Sequence, residues 1–232
     1  NSAWVRDTFR VEDSFLRACV NYYSAEVYRS AFDGSLVTDL NRWVSKETNG
    51  LIDKLLECCP RIDMFDWHDD LGSQSAALMS PDKWEEIFAR DTARVADHVR
   101  SRGKLFMYHS CGRVDQIIGK VIEHVRPDGW NLLQACNDQP YIKREFGQKT
   151  VLVCGLDTQN CVDIPNPTKE ELCAEVDRTI QIFAPGGLFL AGMYLAGCFN
   201  GNGLDVNGVI EEEVTRIGKD YYQTPEHCVY PA

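Results

Sequence analysis

Two things are scarce in this sequence, and each scarcity excludes a class of function. No apolar stretch among the 232 residues approaches the roughly 20 needed to cross a bilayer, so a membrane span is not expected. Basic residues are outnumbered, with 24 Lys and Arg against 35 Asp and Glu and a formal net charge of −11. That balance argues against a nucleic-acid footprint and implies a solvated acidic exterior. The opening residues Asn1 to Asp7 carry no secretory apolar core, and no initiator Met precedes them. A fragment, or a chain that has lost upstream residues, is therefore expected. Cysteine is not scarce: there are ten, scattered through apolar runs rather than clustered. Cys58, Cys59, Cys136, Cys154 and Cys173 read as small buried hydrophobes of a reducing compartment, which favours the cytoplasm.

From residue 62 the chain alternates strand and helix patterns. The strands are expected at 62–67, 104–108, 130–134, 150–154 and 188–191. Ser80-Pro81 signals a helix start, and that helix is expected to reach Arg102 and stop at Gly103. Ile117, Ile118, Val121, Ile122 and Val125 recur at helical spacing, predicting a helix over 114–125. A short helix follows near Tyr141 to Phe146. Thr168 and Glu171 fit a capping box, and a last helix is expected over 206–222. The first 60 residues read as helical, with Phe15, Leu16, Val20 and Tyr23 on one apolar face.

Repeated strand-then-helix units call for a parallel sheet with helices packed outside it. Polar groups fall just after the strands: Asp69 and Asp70, His109 and Cys111, Gln134, and Asp157. Such placement is what a (β/α)8 TIM-type barrel gives at its catalytic face. Five strands do not close eight, so about three N-terminal strands are expected to be absent from this single barrel domain. Exposed sheet edges would then invite pairing, by an N-terminal segment or by a partner chain such as a second copy in a homodimer.

His109-Ser110-Cys111-Gly112 ends the apolar run Leu105 to Tyr108. Side chains alternate along a strand, so His109 and Cys111 share a face and Tyr108 takes the other. An imidazole and a thiolate side by side make half of a zinc site. Asp70 is the member of the aspartate pair expected to face the same mouth, while Asp157 caps the next helix or contacts substrate. His68, beside the pair, reads as an exposed loop histidine.

Taken in order, Asp69-Asp70-Leu71-Gly72-Ser73-Gln74, Met79-Ser80-Pro81, His109-Ser110-Cys111-Gly112, Phe146-Gly147, Gly155-Leu156-Asp157 and Ala184-Pro185-Gly186-Gly187 resemble the uroporphyrinogen decarboxylase superfamily over about residues 15 to 222. Within it, His-x-Cys-Gly resembles the corrinoid-linked methyltransferase branch. The resemblance implies a zinc-dependent methyltransferase moving a methyl group between a small methylated substrate or thiol and a corrinoid (cobalamin) protein. It implies His109, Cys111 and Cys198 as zinc ligands, Asp70 and Asp157 as catalytic groups, and Asp69, Gln74, Gln134 and Met193 as substrate-binding residues. Counting forward from Gly186-Gly187 puts the third ligand at Met193; counting back from Asn207 puts it at Cys198, the better donor for zinc. A uroporphyrinogen decarboxylase-like carboxy-lyase is the second reading. It needs arginines at the mouth, where the mapped strand ends offer Arg113 alone. A ligand-binding barrel without catalysis is the third.

Overall fold

The computed structural model describes residues 35–153, 155–191 and 201–230. Phe15, Leu16, Val20, Tyr23, Cys154, Met193 and Cys198 lie outside the described residues, and the expectations attached to them go no further here.

Five parallel strands follow one another in chain order: β1 (Met64–His68), β2 (Leu105–His109), β3 (Gly129–Asn131), β4 (Val151–Val153) and β5 (Phe189–Leu190). Each pairs with its predecessor, so the sheet order is β1-β2-β3-β4-β5. Parallel neighbours cannot be joined by a tight turn, and helical crossovers make the connections. Helix α1 (Ser35–Cys58) precedes the sheet. After β1, α2 (Pro81–Trp84) runs through a π-helical turn (Glu85–Ala89) into α3 (Arg90–Ser101). Then come α4 (Ile118–Val125), α5 (Gln139–Phe146), α6 (Lys169–Phe183) and α7 (Val206–Gly218). The architecture is a mixed α/β fold on a parallel sheet. The eight strands of a closed barrel are not shown; five are described.

Local chemistry explains most boundaries. Ser80 caps α2 by accepting from the Lys83 amide, with Pro81 at the first helical position. Gly103 ends α3 in the left-handed region, at φ 69°. Thr168 and Glu171 form the reciprocal capping box at the start of α6. The helix expected from Val114 begins instead at Ile118; residues 115–117 form a turn, and the Val114 and Asp115 amides donate to Asn137 Oδ1 at 2.7 and 3.1 Å. The third strand stops at Asn131 rather than Gln134; the Leu133 carbonyl leaves the ladder to accept from Gln139 Nε2 at 3.1 Å. The last helix ends at Gly218 and gives way to two 3₁₀ turns, Tyr221–Gln223 and Pro225–Cys228.

The strand alternation divides the core. Phe106, Tyr108, Trp130 and Leu152 bury one face against Trp84, Val95, Val99, Ile118, Val121 and Val125 from the α2–α3 unit and α4. Met107 and Val153, of the opposite parity, join a second cluster with Leu172, Val176 and Ile180 of α6 and Val206, Val209 and Ile210 of α7. Burying each large apolar side chain contributes roughly 1.5–3 kcal/mol before conformational entropy is counted. Cys58 and Cys59, expected inside, are exposed at the end of α1: the apolar side of that helix is Ile52 and Leu56, and the two thiols fall beyond it. Cys136 and Cys173 are half-buried. No described helix is long and apolar enough to cross a membrane.

Candidate metal centre

β1 and β2 run in register, Trp67 beside Tyr108 and His68 beside His109, so both strands deliver their last side chains to one place. Tyr108 turns to the helix side, fully buried and stacked on Trp130 at 5.0 Å between ring centroids. His109, one residue on, takes the opposite face and is itself buried.

Beyond β1 the two aspartates part. The Asp69 amide extends the ladder by donating to the His109 carbonyl at 3.0 Å, and its carboxylate accepts from the Tyr108 hydroxyl at 3.0 Å. Burial raises its pKa. Asp70 turns the other way. Its Oδ1 accepts from the Cys111 amide at 3.1 Å and stands 3.5 Å from His109 Nε2. His109 Nε2 is 3.3 Å from Cys111 Sγ. One donor atom from each of Asp70, His109 and Cys111 lies within 4.8 Å of the other two.

These separations suit a tetrahedral cation. Bonds of about 2.0–2.3 Å at tetrahedral angles place neighbouring ligand atoms roughly 3.3–3.6 Å apart. The charges suit one too. Burial, then the neighbouring His68, lowers the His109 pKa and favours the neutral imidazole that a metal needs. Burial, then the Asp70 carboxylate, raises the Cys111 pKa. The hydrogen bond from the Cys111 amide lowers that of Asp70. A thiol beside a carboxylate resists ionisation; a dication among the three reverses that balance.

The turn carrying Cys111 is held from several sides. Gly112 sits at φ 78°, and its amide donates to Gln134 Oε1 at 2.5 Å. Ser110 Oγ, fully buried, accepts from the Leu71 amide at 2.9 Å. The Arg113 amide donates to the Ser73 carbonyl at 2.7 Å. Asn137 Nδ2 donates to the carbonyls of Gly112 at 2.9 Å and Gln134 at 3.0 Å. The neighbouring face is polar: His68 stacks on His109, its Nε2 lies 3.5 Å from Asp66 Oδ2, and Asn131 Nδ2 donates to that oxygen at 2.8 Å.

Of the residues singled out in the sequence, the structure therefore gathers Asp70, His109 and Cys111. Gln134 stands against them as a brace for the turn, and Asp69 lies behind them, bonded into the helix-side layer. Gln74 is exposed on the loop after β1. Asp157 caps the π-helical turn Thr158–Val162, accepting from the Asn160 amide at 3.0 Å and from its side chain. Asn137, Ser110 and the stacked position of His68 were not foreseen. Ser110 was legible by alternation between two same-facing residues; Asn137 carries no motif.

Among protein-family models, that of the serpins (serine protease inhibitors) matches residues 1–63. The match covers less than half of the chain and ends before β1, so it includes none of the clustered residues and does not place the chain in that family. No curated protein matches, and no solved structure does. The resemblance to the uroporphyrinogen decarboxylase superfamily is thereby overturned: the family model that matches is a different one. The motifs that carried it are short, and most are Gly, Pro and Asp turns of the kind any strand–helix unit requires.

Proposed function

We propose that this chain is a zinc-dependent methyltransferase, moving a methyl group between a small methylated substrate or thiol and a corrinoid protein. The observation that carries the zinc part of this reading is the convergence of Asp70, His109 and Cys111 donor atoms within 4.8 Å, with His109 Nε2 3.5 Å from Asp70 Oδ1 and 3.3 Å from Cys111 Sγ. Three protein ligands among the described residues leave one position for a substrate atom, the arrangement of a catalytic rather than a structural site. The metal supplies Lewis acidity and lowers the pKa of a bound thiol. His109 offers a neutral nitrogen, kept so by burial. Cys111 and Asp70 bring the negative charge that holds the cation. Ser110, Gln134 and Asn137 fix the turn so that the three donors need no rearrangement.

The sequential parallel sheet supports a partial (β/α)8 barrel, with this centre at the carboxyl ends of its strands. Arg113, the basic residue that a carboxy-lyase would use, is paired with Asp115 at 3.1 Å, which favours methyl transfer over decarboxylation. Seven free cysteines among the described residues support a cytoplasmic protein.

Elemental analysis of anaerobically purified protein, before and after chelation, is the test of the centre. About one zinc per chain is expected, lost in His109→Ala/Cys111→Ser. Zinc-loaded protein should then methylate a thiol from methylcobalamin, and the double variant should not. A folded wild type that binds no zinc sinks the proposal.

A further inference from the structure

A histidine that ligates a metal through one ring nitrogen ordinarily donates its other N–H to a carboxylate or carbonyl, and that bond fixes the ring. His109 breaks this pattern. Its Nε2 faces Cys111 and Asp70, while Nδ1 is buried and has no partner among the described residues. Something else must hold the imidazole plane, because rotation about χ2 would carry Nε2 away from the other two donors.

His68 is placed to do so. The register sets it directly beside His109, and the two rings stack with centroids 4.2 Å apart and planes 15° from parallel. His68 is in turn oriented by Asp66, whose Oδ2 is 3.5 Å from its Nε2 and is anchored by the Asn131 amide group at 2.8 Å. We infer that His68 is a positioning residue for the metal centre, fixing the His109 ring by stacking where a hydrogen bond to Nδ1 is missing. The inference rests on the zinc reading above. His68 itself is no ligand in this arrangement. Near-parallel stacked rings direct their nitrogens side by side rather than toward one point, and its nitrogens lie outside the converging set.

The test is a competition titration of the full chain with zinc, and with cobalt(II) for its ligand-field spectrum. Wild type, His68→Ala and His68→Phe are compared. Removing the ring should weaken metal binding by about 10–100-fold, the cost typical of losing a ligand's outer support. It should also shift the cobalt bands. His68→Phe keeps a flat ring and should restore affinity and spectrum to near wild type. Wild-type affinity in His68→Ala would overturn the inference, and so would a Phe variant as weak as Ala, since an imidazole nitrogen would then be what matters. If His68→Ala does not fold, His68→Leu, which fills the space without a flat ring, takes its place in the comparison. Absence of binding in folded wild type marks failure of the zinc reading itself, a result no His68 variant can mimic.

Discussion

Gly72 and Gly112 meet backbone to backbone. A Cβ built on Gly112 would overlap the Gly72 carbonyl, and one on Gly72 would stand 2.6 Å from the Arg113 amide nitrogen. The loop that brings Asp70 and the turn that brings Cys111 are thus in contact through the two residues that have no side chain. Gly112 also occupies φ 78°, a region that L side chains rarely adopt.

Gly112→Ala therefore meets two penalties at once, a strained backbone and an overlap with main chain that cannot swing aside. The variant should lose about 2 kcal/mol or more of stability, read as a lowered chemical-denaturation midpoint. It should also bind less zinc at equal protein, because Asp70 is pushed from Cys111. Unchanged zinc content would show the loop contact to be irrelevant to the centre.

The Asn137 side chain makes four hydrogen bonds to backbone, two through Oδ1 to the amides that precede α4 and two through Nδ2 to the Gly112 and Gln134 carbonyls. Truncation to Ala strands the Val114 and Asp115 amides and the Gly112 carbonyl, while the Gln134 carbonyl keeps the Asn137 amide at 3.1 Å. A loss of roughly 2–4 kcal/mol in urea denaturation is expected. Asn137→Asp keeps the acceptor half and strands the Gly112 carbonyl alone, so it should fall between Ala and wild type.

Lys143 is buried, with Nζ donating to the Gly187 carbonyl at 2.7 Å and lying over the Tyr230 ring. Burial lowers its pKa from 10.5 to about 8. Between those values the unfolded chain holds a proton that the folded chain has released, so this group makes stability rise with pH. Its contribution is flat below about pH 8 and steepest between about 8 and 10.5, approaching about 1.4 kcal/mol per pH unit. The stability difference between wild type and Lys143→Met should climb over that interval and be level under it. A difference independent of pH would refute the assignment.

The sequence made the strand–helix order visible, because buried apolar runs and Ser-Pro, Thr-x-x-Glu and Gly signals are local. It also placed Tyr108 and His109 on opposite faces, since a strand alternates whatever it packs against. What it withheld depends on pairing between strands. Asp70 joins His109 and Cys111 only because β1 and β2 share one register, and nothing at Asp70 announces it as a metal donor rather than a substrate contact. The His68 stack arises from that register too, which is why an exposed loop histidine was the natural expectation. Asp157 had two readings with equal local support, and the structure places its carboxylate on the Asn160 amide. Cys58 and Cys59 look interior by residue type, yet both are exposed where α1 ends.

Because each strand pairs with the one made before it, the three donor atoms come from the ends of β1 and β2 and the turns just beyond them, and the Cys111 turn is braced by residues that follow soon after. The centre can therefore close while later parts of the chain are still emerging from the ribosome. α6 and α7 contribute none of its ligands. Among the described residues, the cluster and the side chains that brace it all lie between Asp66 and Asn137, so its assembly asks nothing of the second half of the core.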